Sequence, residues 1–201
     1  MKQVRRTLII LALWLVVTPS VGVAVIYFHG ISPAEGCRNW QGEYEQAKRA
    51  LPSTTGVSER AALLSQGAKA AVEIGEVTRA RSWATEAIAL LPRVRRDWNY
   101  GNIVHDAHLA RGRSLLRQGD IAGARRELRL AGATPGSPQL NSFGPNMALA
   151  SDLLKAGEKG EVIAYFQDCA RFWDLGHSQL RRWELLVKLH LPPDFGANFL
   201  F

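Results

Sequence analysis

Beyond residue 36, apolar side chains recur at three- and four-residue steps, the spacing that puts them on one face of a helix. Cys37, Trp40, Tyr44, Ala47 and Leu51 form the first such stripe, ended by Leu51-Pro52-Ser53-Thr54-Thr55-Gly56. Ser58–Ile74 then pairs with Glu76–Leu91. The first of these is rich in small residues, and the second carries Ala80, Trp83, Ala84, Ala87, Ile88 and Leu91 on one stripe. Asn102–Gln118 pairs with Asp120–Ala131, where Asp120 is placed to cap the second helix. Ala133-Thr134-Pro135-Gly136-Ser137-Pro138 reads as a break. A third pair, Pro145–Ala156 with Glu158–Trp173, follows; Asn141 or Ser142 would cap its start and Pro145 would sit in its first turn. The last helix is expected over Ser178–His190, with Leu180, Trp183, Val187 and His190 on one face.

One spaced set occurs twice. Gly75, Ala80, Ala84, Ala87 and Pro92 recur as Gly119, Ala124, Leu128, Ala131 and, slightly out of step, Pro135. The glycine permits a tight turn, and the small residues let two antiparallel helices approach closely. Gly157 marks a weaker third copy. The glycines lie 44 and 38 residues apart, and the Arg93–Tyr100 insertion lengthens the first interval. These positions resemble the tetratricopeptide (TPR) repeat, in which a helical hairpin recurs about every 34 residues. In the second unit Gly112, Leu115, Gly119, Ala124, Leu128 and Ala131 match the pattern; in the first, Ala68, Gly75, Ala80, Ala87 and Pro92 do, with Ala71 where an aromatic is typical. The resemblance covers about residues 58–173 and implies an all-α, TPR-like solenoid, closed by a C-terminal capping helix.

The segment before the repeats has a different character. Thr7–Phe28 is 22 residues without a charged side chain, enough to cross a hydrocarbon core of roughly 30 Å. Lys2, Arg5 and Arg6 precede it and mixed charge follows, so the positive-inside rule keeps the N-terminus in the cytoplasm. The expected organisation is a cytoplasmic stub and transmembrane signal anchor over 1–30, then a solenoid over 31–201 outside the cytoplasm. A signal peptide cleaved after Ala24 is the competing reading, set against by Val25-Ile26-Tyr27-Phe28, which continues the apolar run. By architecture the arrangement is similar to single-pass bacterial inner-membrane proteins that assist secretion or envelope assembly.

Charge changes the picture little. The 201 residues carry a net +7, but setting Lys2, Arg5 and Arg6 aside leaves 22 basic against 18 acidic residues. No zinc-finger spacing or aromatic-basic RNA motif points to nucleic acid. The excess suits an acidic peptide or an anionic membrane surface better. With only Cys37 and Cys169, a disulfide is permitted outside the cytoplasm, but Cys169 occupies an apolar helix slot that fits a buried free thiol.

The resemblance implies that the first helix of each hairpin lines a concave groove holding a peptide or partner helix. Carried over residue by residue, the groove positions are Lys69 and Glu73, then Leu109, Arg113 and Arg117, then Met147, Ser151 and Lys155. They mix basic and apolar character, as an extended acidic-apolar segment would require. The expected function is a membrane-tethered scaffold for protein–protein interaction. A permanent structural subunit of a membrane complex is an alternative.

An enzyme is not expected, nor is a cofactor. No P-loop, nucleophile elbow or dinucleotide turn occurs. His105-Asp106-Ala107-His108 is the one metal-like cluster and underlies the remaining alternative, a metal-dependent enzyme using His105 and His108. Polar helix surface is the default for it. The tail from Pro192 to Phe201, with aromatics at 195, 199 and 201, is expected to dock on the solenoid rather than extend into water.

Overall fold

The repeated glycines set the architecture. In the computed structural model, which describes residues 38–199, Gly75, Gly119 and Gly157 have φ of 87°, 84° and 88°, the left-handed region that side chains disfavour. Each sits in the same turn. The backbone N–H of the following residue reaches five residues back to a helix carbonyl, Glu76 to Ala71 at 2.8 Å, Asp120 to Leu115 at 3.0 Å and Glu158 to Leu153 at 2.9 Å. The glycine N–H bonds to Val72, Leu116 and Leu154 in turn. Three sequence copies therefore give one turn three times.

Among the described residues the fold is all-α, with no strand. Helix α1 is Trp40–Ala50; α2 (Val57–Glu73) and α3 (Val77–Leu90) form the first hairpin, and α4 (Tyr100–Arg117) and α5 (Ile121–Gly132) the second. A short α6 (Pro138–Phe143) precedes the third hairpin, α7 (Ala148–Lys155) with α8 (Lys159–Cys169), and α9 (His177–Lys188) comes last. Helix α4 packs against both α2 and α3, and α7 likewise packs against α4 and α5. The first helices of successive hairpins thus lie side by side. Among these residues no helix is long and apolar enough to cross a membrane; Thr7–Phe28 lies outside the described residues, as does Cys37.

Small residues occupy the crossings. Ala80, Ala84 and Ala87 of α3, and Ala124 and Ala131 of α5, are fully buried, facing Leu64, Ala68 and Ala71 in the first hairpin and Leu109 in the second. The third hairpin and α9 share a larger-side-chain core built on Tyr165, Phe166, Trp173 and Trp183. Cys169 belongs to it as a buried free thiol, and burial pushes its pKa well up.

Three local expectations are corrected. The segment after the Pro135–Gly136 break is a helix, α6, capped by Ser137 Oγ accepting the Leu140 N–H at 3.0 Å. The third hairpin does not begin at Pro145: Gly144 turns the chain at φ 83°, and Asn146 Oδ1 accepts the Ala148 N–H at 2.8 Å, so α7 starts later. Helix α9 ends before His190. That residue has φ 62° and takes the place glycine holds in the other turns, with Leu191 N–H reaching Leu186 C=O at 2.9 Å.

The tail docks on its own domain as far as Phe199; Phe201 lies outside the described residues. Phe195 is 3% exposed, edge-on to Trp183 at 5.0 Å, while the Met147 N–H donates to Asn198 C=O at 2.7 Å and Trp183 Nε1 to Asp194 C=O at 2.8 Å.

Candidate functional site

Helices α2, α4 and α7 carry a ladder of charge across their exposed faces. Lys69 Nζ of α2 meets Asp106 Oδ2 of α4 at 2.8 Å, both largely withdrawn from water. One turn along α2 and two along α4, Arg113 of α4 bonds Glu73 of α2 on one side and Asp152 Oδ2 of α7 on the other, the latter at 3.0 Å. Arg117, a further turn down α4, donates to the Val72 carbonyl. Lys155 Nζ ends the series 3.6 Å from Asp152 Oδ1, its side chain 76% exposed.

The partners are close to one repeat apart in sequence, 37 residues for Lys69–Asp106, 40 for Glu73–Arg113 and 39 for Arg113–Asp152. That periodicity is the signal by which Asp106 and Asp152, absent from the groove residues expected above, are found. Burial would raise the Asp106 carboxyl, but Lys69 beside it, with His105 and Arg38, brings it below its ordinary value. Burial against the chain and the neighbouring Arg113 lower the Arg117 pKa.

The structure therefore brings Lys69, Glu73, Arg113, Arg117 and Lys155 into one strip, mostly as partners of carboxylates or carbonyls rather than as open positive charge. Ser151 is half-buried beside Asp152. Leu109 and Met147 are core residues, 3% and 0% exposed, and present no apolar surface to a ligand.

Two clefts open along these helices. The first, about 290 Å³, is walled by carboxamides, Gln66, Asn99, Asn102 and Gln139, with the Lys69–Asp106 pair in its lining. The second, about 280 Å³, lies between α7 and the end of α9. Its lining is largely apolar, with Val187, Leu191 and Phe195, and Lys155, Lys159 and His190 supply its basic groups. Apolar walls with a few cationic groups suit a hydrophobic side chain beside a carboxylate.

His105 and His108 are not polar helix surface, as expected above, but buried residues with separate partners. His108 Nδ1 lies 2.8 Å from Glu127 Oε2, and Arg111 holds the other oxygen of that carboxylate at 2.7 Å. His105 Nε2 accepts the Asn146 N–H at 3.3 Å, and the Tyr165 hydroxyl, also 3.3 Å away, donates to Asn146 C=O at 2.9 Å. This leaves the proton on His105 Nδ1, which has no partner among the described residues. Burial lowers the His105 pKa to about 4. Among the described residues no group of three or more histidines, cysteines and carboxylates is placed to hold a metal ion.

Comparison with protein-family models, with curated proteins and with solved structures gives no match to this chain.

Proposed function

We propose that this chain is a membrane-tethered scaffold in which a TPR-like helical-hairpin solenoid, capped by α9, holds a protein segment along α2, α4 and α7 on the extracytoplasmic side of a bacterial inner membrane. Thr7–Phe28 supplies the tether in this reading. The observation that carries it is the continuity of the strip: inter-repeat ion pairs align the exposed faces of three successive first helices, with a cleft toward each end. The rungs of the ladder are internally neutralised, so the ligand's charge is recognised at the second cleft. An acidic-apolar segment fits there, its side chain against Val187 and Phe195 and its carboxylate toward Lys155 and Lys159.

His190 supports the same assignment. A non-glycine residue held at positive φ costs about 1–2 kcal/mol, and such cost is characteristically retained at binding sites. At this position glycine would serve the turn, whereas histidine also lines the cleft.

The test is site-specific photocrosslinking of the full chain in intact membranes. A photoreactive residue at Ser151 or Gln66 is expected to capture the same protein, and one at exposed Arg126 of α5 is not. Equal capture from all three positions would place the contact elsewhere. Exposed Leu185 on α9 and Leu189 just beyond its end favour a second reading, a permanent subunit packed through its last helix. Recovery of one stoichiometric detergent-stable complex, lost in Leu185→Glu, would select it.

A further inference from the structure

The segment between α3 and α4 lends Asn99 to the first cleft, but its arginines and Trp98 line neither cleft. It is a built loop. After the 3-10 turn Leu91–Arg93, the Val94 N–H donates to Leu91 C=O at 3.2 Å, Asp97 N–H to Val94 C=O at 2.9 Å and Tyr100 N–H to Asp97 C=O at 3.1 Å. Val94, 2% exposed, packs with Ala61 and Ile103 and pins the loop to the first two hairpins. Its side chains then divide. The Asp97 carboxylate turns back to accept the Asn99 N–H at 2.8 Å. Arg93, Arg95 and Arg96 are exposed, and the Trp98 indole is 70% exposed.

These three guanidinium groups form no ion pair or hydrogen bond among the described residues, whereas Arg60, Arg111, Arg113, Arg125 and Arg129 each hold a carboxylate; exposed Arg49, Arg126, Arg181 and Arg182 are also unpaired there, but none shares a loop with an exposed tryptophan. One ordered loop thus carries three exposed arginines and an exposed indole within six residues. Tryptophan combines a large apolar ring with one N–H donor and is most stable where one side is apolar and the other wet. Guanidinium groups on the same loop match phosphate oxygens.

We infer that Arg93, Arg95, Arg96 and Trp98 form a membrane-surface contact that takes the phosphates of anionic phospholipids with its guanidinium groups and the headgroup zone with its indole. The inference rests on the reading of Thr7–Phe28 as an anchor. Asn99, the residue after Trp98, lines the same cleft as Arg38, the first described residue. Ten residues separate Arg38 from Phe28, a reach of at most about 35 Å. A chain tethered this closely presents the loop to the bilayer at high effective concentration, so modest headgroup contacts suffice to hold it.

The test uses the full chain in nanodiscs of phosphatidylcholine alone, or with phosphatidylglycerol added, each containing a headgroup nitroxide lipid. Trp98 emission is read as the difference between wild type and Trp98→Phe. In anionic discs it is expected to be blue-shifted and quenched, and in zwitterionic discs less so. Each neutralisation among Arg93→Gln, Arg95→Gln and Arg96→Gln should lower the ratio of docked to undocked loop roughly fivefold, with unchanged circular dichroism. Unquenched, water-like emission in anionic discs overturns the inference. If Trp98 instead crosslinks to a protein in native membranes while ignoring the nitroxide, the loop is a protein contact and the lipid assignment is wrong. If the chain purifies free of discs, the anchor reading fails separately. The loop is then judged on the same soluble chain by cosedimentation with anionic vesicles, where arginine-dependent binding supports it and absence of binding overturns it.

Discussion

Acidification should destabilise this domain through His105, at a pH where carboxylates still keep their charge. Protonating His105 puts an N–H on Nε2, directly against the Asn146 N–H that now donates to it, and adds a charge where no water reaches. Its surroundings are mixed: Asp106 favours the charged form, Lys69 and His108 oppose it, and burial outweighs them all. With the pKa lowered from 6.5 to about 4, the unfolded chain binds the proton first. The stability contribution is complete above about pH 6.5, falls as pH drops toward 4 and is level below that. The full loss approaches roughly 3 kcal/mol, at 1.36 kcal/mol per pKa unit. Between about pH 7.5 and about pH 5 it amounts to ~2 kcal/mol. The assay is denaturant unfolding of the full chain in detergent, followed by tryptophan emission, for wild type and for His105→Gln, whose amide oxygen can still accept the Asn146 N–H without titrating. Asp106 and Glu127, both with lowered pKa, act at more acid pH and are common to both proteins. Wild type should lose about 2 kcal/mol more than the variant over that interval. Parallel stability curves would refute the reasoning and return the buried imidazole to an ordinary titration.

Glycine substitutions should separate crowded from open backbone. A Cβ at Gly101 would stand 1.8 Å from the Gly136 carbonyl oxygen, which cannot rotate away as a side chain can, whereas one at Gly160 meets nothing within 4 Å. Gly101→Ala should destabilise by about 1–3 kcal/mol and Gly160→Ala should stabilise by up to ~1 kcal/mol, read as opposite shifts in melting temperature. Shifts of the same sign would argue against the close approach of the Gly136 turn to α4. His190→Gly should raise stability by about 0.5–1 kcal/mol, since relief of the left-handed backbone exceeds the added freedom of the unfolded chain, and should weaken capture of the groove partner. Improved stability with unchanged capture would remove His190 from the site.

The helices were legible because their apolar stripes are regular and their stops are chemical. Gly75 and Gly119 announced turns that occur at those residues, and Ala80, Ala84, Ala87, Ala124 and Ala131 announced crossings where nothing larger is seated. Gly157 marked a third turn of the same geometry although its hairpin had lost the alanine signature, because the turn needs only the glycine while the core can be refilled with Tyr165 and Phe166. What periodicity missed was short or irregular. Helix α6 has six residues and opens on proline, too brief for a stripe to show. Asn146, not Asn141 or Ser142, caps α7 because Gly144 reverses the chain between them. The fourth turn was hidden because histidine stands where the other three have glycine.

The groove positions were found by analogy and their chemistry was not. Read along the sequence alone, Lys69, Arg113 and Arg117 look like open positive charge; the neutralising carboxylates of the first two lie a whole repeat away, at Asp106, Glu73 and Asp152, and Arg117 is engaged by the Val72 carbonyl. Pairing across repeats has a consequence for recognition. A carboxylate that displaced Asp152 from Arg113 would leave Asp152 without its guanidinium partner, a replacement with little net gain. A ligand's charge is therefore directed past the interior rungs to the last one, where Lys155 is only loosely held and Lys159 joins it at an apolar cleft. By the same reasoning the groove is separate from the Arg93–Tyr100 loop. The groove has spent its inner cations on its own carboxylates, while Arg93, Arg95 and Arg96 have not, so long-range attraction to an anionic partner should survive removal of a whole pair, Lys69→Ala with Asp106→Ala, and be reduced by Arg95→Ala, most visibly at low ionic strength.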